Sequence, residues 1–310
     1  MPVKIRTVWL LLLLAAGTGW PQTFSLSLST PRPSYQEEEQ ILLPLTIENT
    51  SSETAVFKAQ YLQPKENTWL FIGKNYTLDI KVNGEPFGKF TNWMPPEPAE
   101  GNLSVALAPG QKMTWQVFFP WYYYPFDLPR EFEVRLTGAA GSSNPVKFSV
   151  HPSRGTKQNN NLLINGDFTQ GEKFPYGWRI ENPAVVWDKA GHCLKYTLDR
   201  RTAENEGLWT YSLLMPVESP ADYTFRMRAQ SSAPEIIAFI EGWAVVAGRR
   251  RRVERTDFFA YPAGNKDFKN YSCTVKFTKP EIRWARVKLY TYLNPGEVRF
   301  SSVALTKEKR

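Results

Sequence analysis

Apolar and polar residues alternate with a period of two over much of the chain, the spacing of half-buried strands rather than of helices. Phe24, Leu26 and Leu28 alternate with Ser25, Ser27 and Ser29, and further strand-like runs follow over Ile41 to Ile47, Ala55 to Tyr61, Tyr76 to Val82, Lys112 to Phe119 and Phe132 to Leu136. Asn83-Gly84 and Pro109-Gly110 supply turns between them. Short strands separated by turns every ten or so residues predict an antiparallel β-sandwich. A second series of strand signals runs through "HCLKYTL", "LWTYSLLMPV", "DYTFRMRAQS", "EIIAFIEGWAVV", "RTDFFAYPAG", "YSCTVKFTKP", "RWARVKLYTYL" and "GEVRFSSVAL". Between the two series, Ser153 to Asn161 carries no apolar residue to bury and reads as a connection. The expected organisation is therefore a leader over 1–19, a first sandwich over 20–152, a linker over 153–160 and a second sandwich over 161–310.

Composition supports the all-β reading. The 310 residues include 24 Pro and 14% aromatic residues, a mixture that favours strands and turns over long helices. Lys4 and Arg6 precede an apolar run from Val8 to Ala16 and the small residues Gly17 to Gly19, the layout of a secretory signal peptide. That run is about half of what crosses a bilayer, so the expected product is exported, secreted or periplasmic, without stable membrane insertion. Net charge is +8. Residues 160–310 hold 24 basic against 17 acidic side chains, and much of the excess is the single run Arg249 to Arg252. A uniformly basic nucleic-acid face is not indicated, and no nucleic-acid partner is expected.

The opening Asn-Leu-Leu-Ile-Asn-Gly-Asp-Phe (Asn161 to Phe168), the following Gly177-Trp178, the strand start at Tyr223 and the closing Tyr-Leu-Asn-Pro-Gly-Glu-Val (Tyr292 to Val298) come in an order that resembles carbohydrate-binding modules of families four and nine, within the galactose-binding-like superfamily. The resemblance implies a jelly roll that binds glycans on a concave sheet or at the loops above it. "PSYQEEEQILLPLTIENTSSETA", "LAPGQKMTWQVFF" and "DLPREFEVRL" resemble secreted immunoglobulin-like accessory domains, including proteinase-inhibitor-like ones. The fold class is thus all-β, an immunoglobulin-like sandwich followed by a galactose-binding-like jelly roll.

Alternation names the candidate binding face. In the penultimate strand Ala285, Val287, Leu289, Thr291 and Leu293 point to the core, leaving Trp284, Arg286, Lys288, Tyr290 and Tyr292 on the other side. Rings stack on the C–H faces of pyranoses, and Arg and Lys donate to hydroxyls or carboxylates. A second strand sends Ala238, Ile240 and Gly242 inward and Phe239, Glu241 and Trp243 outward. Glu241 is a candidate sugar acceptor or, alternatively, the partner of Arg286 or Lys288. Trp209 and Tyr211 share a face with Leu213, Met215 and Val217 and are expected in the core, whereas Tyr261 lies at the edge of its strand and is expected to line the cleft. The ligand-binding set is therefore Trp243, Glu241, Tyr290, Tyr292, Arg286, Lys288 and Tyr261.

Arg249 to Arg252 follow Gly248 and read as a solvated hairpin tip or loop; the sharper alternative is a contact with an anionic glycan, whose affinity would fall with salt. The resemblance also implies a structural calcium near the opening and closing strands. Here Asp167 is present, but Thr169 and Ser301-Ser302 stand where acidic residues are common, so no tightly held metal and no other cofactor is expected. Cys193 and Cys273 allow one disulfide by count, while alternation sends Cys193 outward and Cys273 inward. Asn49, Asn75, Asn102 and Asn270 open glycosylation sequons. With only His151 and His192, no histidine-based triad is suggested, and no enzymatic activity is expected. The sequence reading is a non-catalytic protein that recognises a poly- or oligosaccharide through its second domain. The alternative is a structural or protein-docking module, inhibitor-like in its first domain, of an extracellular assembly.

Overall fold

The computed structural model describes residues 23–62, 69–71, 76–90, 100–119, 128–138, 140–260 and 267–308. The leader and Tyr261 lie outside them. The chain forms two compact units: Met1–Pro31, Leu42–Phe118 and Glu131–Phe148 make the first, while Arg32–Ile41, Phe119–Arg130 and Ser149–Arg310 make the second.

The first part of the chain carries β1 (Phe24–Leu28), β2 (Ser34–Gln36), β3 (Leu42–Asn49), β4 (Ala55–Leu62), β5 (Trp69–Phe71), β6 (Tyr76–Val82), β7 (Glu85–Phe90), β8 (Glu100–Leu107), β9 (Lys112–Phe118), β10 (Arg130–Gly138), β11 (Gly141–Ser142) and β12 (Val146–His151). One sheet runs β1-β3-β9-β5-β4-β8 and another β2-β12-β10-β6-β7, with β11 on β10. The predicted alternation is visible in β3, where Leu43, Leu45 and Ile47 are buried and Leu42, Pro44 and Thr46 are not. Asn83 and Gly84 both adopt positive φ, 51° and 86°, the conformation a two-residue hairpin turn demands. The sequon at Asn49 is closed to modification because the side chain is fully buried and donates to the carbonyls of Glu53 and Leu107, each at 2.7 Å.

The second part contains β13 (Trp178–Ile180), β14 (Val185–Asp188), β15 (Cys193–Leu198), α1 (Arg200–Asn205), β16 (Leu208–Ser212), β17 (Met215–Pro216), β18 (Ala221–Ser231), β19 (Glu235–Val246), β20 (Arg249–Ala260), β21 (Lys269–Phe277), β22 (Trp284–Tyr292) and β23 (Gly296–Lys307). Its sheets are β13-β16-β22-β19-β20, with β17 on β22, and β14-β15-β23-β18-β21. Ile240, Val287 and Leu289 from the first and Leu194, Phe225 and Phe300 from the second belong to one buried cluster, the core of a β-sandwich.

The Asn161 to Phe168 motif holds this core closed. The Asn161 carboxamide accepts from Leu305 N at 3.0 Å and donates to Val303 O at 2.9 Å, tying the start of the domain to its last strand. Asn165, fully buried, donates to the carbonyls of Gln170 and Tyr176 and accepts from Gln170 N. The polar stretch before it is folded against the same body: Lys157 bridges to Ile164, and a Cβ on Gly155 would stand 2.4 Å from the Ile164 side chain.

Cys193 is buried rather than outward-facing, because Cys193 and Leu194 both start β15 under cover; both cysteines are free thiols. Arg249 to Arg252 are strand rather than loop. The turn falls on Ala247 and Gly248, with φ of 51° and 74°, and the arginines pair with Ala244 to Val246 and Trp243. The β19–β20 register shifts between Gly242 and Trp243, so Val253 has no partner in the ladder and forms a bulge.

Candidate functional site

The outward face of the β13-β16-β22-β19-β20 sheet follows from register. Glu241 lies opposite Arg286 and Arg255, Trp243 opposite Trp284 and Arg252, and Phe239 opposite Lys288 and Asp257. Ile237 lies opposite Tyr290 and Phe259, while Trp209 and Tyr211 lie opposite Tyr290 and Lys288. Directly opposed residues share a face, so one surface collects rings and cations from four neighbouring strands. Trp209 and Tyr211 belong to it and are half-buried, not in the core. The break at Leu213-Leu214, between β16 and β17, resets the alternation that had linked them to Met215 and Val217. Leu293, expected inward, is exposed because β22 has ended at Tyr292.

The two ends of this face differ. At one end Glu241 is 2% and Trp243 6% exposed. Arg286 donates through Nε at 2.9 Å and Nη2 at 2.7 Å to Glu241 Oε2, which also accepts from Trp243 Nε1 at 3.2 Å. Arg252 Nη1 donates to Glu241 Oε1 at 3.2 Å. Burial opposes the charged carboxylate, but the attraction of Arg286 and its hydrogen bonds, with those of Arg252, prevail and hold the Glu241 carboxyl below the usual range. The Arg286 guanidinium is sandwiched at 4.3 Å from the Tyr211 ring centroid and 4.4 Å from that of Trp243, and Arg250 covers Trp284 at 4.9 Å. A crevice here is lined by Glu37, Arg179, Tyr211, Ser212, Leu213, Leu214, Arg250 and Arg286, and Arg179 Nη2 donates to Glu37 O at 2.8 Å. Glu241 is thus the ion-pair partner of Arg286 rather than an open acceptor, and Trp243 is packed beneath that pair rather than facing solvent.

The other end is more open. Tyr290 stands 5.4 Å from Tyr292, 5.8 Å from Phe239 and 6.3 Å from Trp209 by ring centroids. Tyr290 and Tyr292 are half-buried, and Phe259 is 47% exposed. Helix α1 sets the Tyr290 ring: its hydroxyl donates to Glu206 O at 2.7 Å, and Gly207, at φ 65°, passes so close that a Cβ there would sit 2.7 Å from the Tyr290 ring. Arg255 is fixed by Asp257 through Nε at 2.6 Å and Nη2 at 2.7 Å and lies 4.6 Å from the Phe239 centroid.

Lys288 sits between the two ends. Its Nζ is 4.9 Å from the Trp209 centroid, 5.1 Å from Tyr290 and 5.5 Å from each of Tyr211 and Phe239. It makes no hydrogen bond or ion pair with any described residue. Burial pulls its ammonium down to about 8, with Arg286 and Arg252 acting the same way and Glu241 and Glu181 opposing.

The residues at the calcium position do not fit that ion. Asp167 accepts from Gln158 and Thr169, Ser301 Oγ is turned to Arg228 O, and no group of three or more His, Cys, Asp or Glu that could hold a metal occurs among the described residues.

No protein-family model and no curated protein matches the chain. Solved structures do resemble it. A family 16 carbohydrate-binding module aligns at 10% identity over 47% of this chain and 99% of that one, with a TM-score of 0.33. A family 61 carbohydrate-binding module in complex with β-1,4-galactotriose aligns at 18% identity over 48% of this chain and 100% of that one, TM-score 0.31. An arabinose-bound family 51 α-L-arabinofuranosidase aligns at 12% identity over 49% of this chain but 27% of that one, TM-score 0.36. The resemblance to carbohydrate-binding modules drawn from the sequence is met by these neighbours, and the chain is all-β.

Proposed function

We propose that the protein is an exported, non-catalytic carbohydrate-binding protein whose second domain holds a poly- or oligosaccharide on the open end of the ring face, with residues 20–152 as spacer or docking module. The observation that carries this is the cluster of Trp209, Tyr211, Phe239 and Tyr290, with Tyr292 beside Tyr290, around the Lys288 ammonium, which makes no hydrogen bond to a described residue. Rings of this kind offer flat apolar surfaces to the C–H face of a pyranose, and the polar groups between them fix its orientation. Tyr290 and Tyr292 are the platforms, with Lys288 as the donor. Arg286, Glu241 and Trp243, bonded to one another, close the other end of the face. Tyr261, which lies outside the described residues, remains part of the proposed set. No helix among the described residues is long and apolar enough to cross a membrane.

A glycan array on the full chain tests the reading. Binding to at least one saccharide, lost in Tyr290→Ala and in Tyr292→Ala but kept in Val186→Ala, is expected. Val186 is exposed and lies on the other sheet. Silence across the array, or equal binding by all variants, refutes the proposal.

A further inference from the structure

The charges on this face are unevenly committed. Glu241 is saturated by Arg286, Arg252 and Trp243, and Asp257 by Arg255. Glu181, whose carboxyl burial pushes up against the pull of Arg179, Arg286, Lys288 and Trp209, acts on Lys288 only through space. Lys288 alone among these has rings and no oxygen: four aromatic centroids lie within 5.5 Å of its Nζ. Rings attract the charge of an ammonium but cannot satisfy three N–H donors. Water or a bound acceptor takes those donors. A neutral hydroxyl gives an ordinary hydrogen bond, whereas an anionic oxygen gives a charge-assisted one, roughly twice as strong, and offsets the desolvation that the cage imposes.

We infer that the platform selects an acidic saccharide, carrying a carboxylate or a sulfate, and that Lys288 Nζ is the group that reads its anionic oxygen while Tyr290 and Tyr292 hold the sugar ring. This rests on the carbohydrate-binding reading above. It relocates anion recognition from the arginine run, where Arg252 is held by Glu241 and Arg250 lies over Trp284, to a lysine in the middle of the sheet.

The test is titration calorimetry of the full chain against paired hexasaccharides: galacturonate, glucuronate-bearing xylan, mannuronate and sulfated galactan, each beside its methyl-esterified, carboxyl-reduced or desulfated neutral counterpart. At least one acidic member is expected to bind tenfold or more tighter than its counterpart, with affinity that falls as salt rises. Lys288→Met, which keeps an apolar chain among the rings, is expected to weaken the acidic member at least tenfold and the neutral one, which loses only an ordinary hydrogen bond, by a clearly smaller factor. Carboxylate and sulfate members tell the two anions apart. Equal affinity for charged and neutral partners, or a Lys288→Met effect equal on both, overturns the inference while the carbohydrate reading stands. Absence of binding to every member, charged and neutral, overturns both.

Discussion

Glu241 and Arg286 form a more buried ion pair than Arg255 and Asp257 on the same face, and removing one partner should expose its cost. In Glu241→Leu the Arg286 guanidinium, whose side chain is 15% exposed, loses both bonds to Oε2 and keeps its charge away from water. Breaking a buried pair on one side costs about 3–5 kcal/mol, whereas replacing both partners by apolar residues is often neutral. Urea unfolding of the full chain at pH 7 should therefore show Glu241→Leu destabilised by about 3–5 kcal/mol and Glu241→Leu/Arg286→Met within about 1–2 kcal/mol of wild type. The pH dependence has a definite sign. A carboxyl held below its unfolded value contributes stability above that value, about 4.3, and loses it as pH falls through the folded one. The gap between wild type and Glu241→Leu should thus narrow below about pH 4. A single variant costing under about 1 kcal/mol, or a double variant no better than the single one, would refute the pairing argument.

Lys288→Met should act in the opposite direction. The folded ammonium titrates at about 8 against about 10.4 unfolded, so the unfolded chain binds more protons between these values and stability rises with pH there. The upper bound is about 3 kcal/mol, from which attraction to the rings removes about 1–2 kcal/mol. The variant should exceed wild type by about 1–2 kcal/mol at pH 7 and lose that advantage by about pH 10.5, as read from urea midpoints. Gly207→Ala, at positive φ and against the Tyr290 ring, should cost at least about 1 kcal/mol and weaken saccharide binding, measured by thermal shift and calorimetry. Asn165→Ala removes three hydrogen bonds of a fully buried residue that a smaller side chain cannot replace and should lower stability by about 2–4 kcal/mol in the same unfolding assay.

Strand existence was readable because period-two alternation is a local property: β1, β3 and β22 each show buried and less-buried residues in strict turn. The face was readable for the same reason, since Arg286, Lys288, Tyr290 and Tyr292 do share one side of β22. Openness was not readable. Alternation separates the two sides of a strand but does not report what covers the second side, and Glu241 and Trp243 are covered by Arg286 and Arg252 from strands 45 and 11 residues away in sequence. Trp209 and Tyr211 were misplaced by carrying one alternation through Leu213-Leu214, where the strand actually stops. The Arg249 to Arg252 run suggested a loop through like-charge repulsion, yet paired strands absorb it by sending Arg250 over Trp284 and Arg252 to Glu241.

The unpaired Val253 decides which guanidinium groups meet the platform. Counting by twos from Arg252 would send Arg255 to the opposite side, but the extra residue brings both to the side of Glu241. Were Val253 drawn into a regular ladder opposite Trp243, Val253 and Arg251 would take the places of Arg252 and Arg250, and the layer above Trp243 would be dealt afresh. A one-residue change of register in an edge strand would thereby rewrite the electrostatics of this end of the surface while leaving its ring-bearing residues in place.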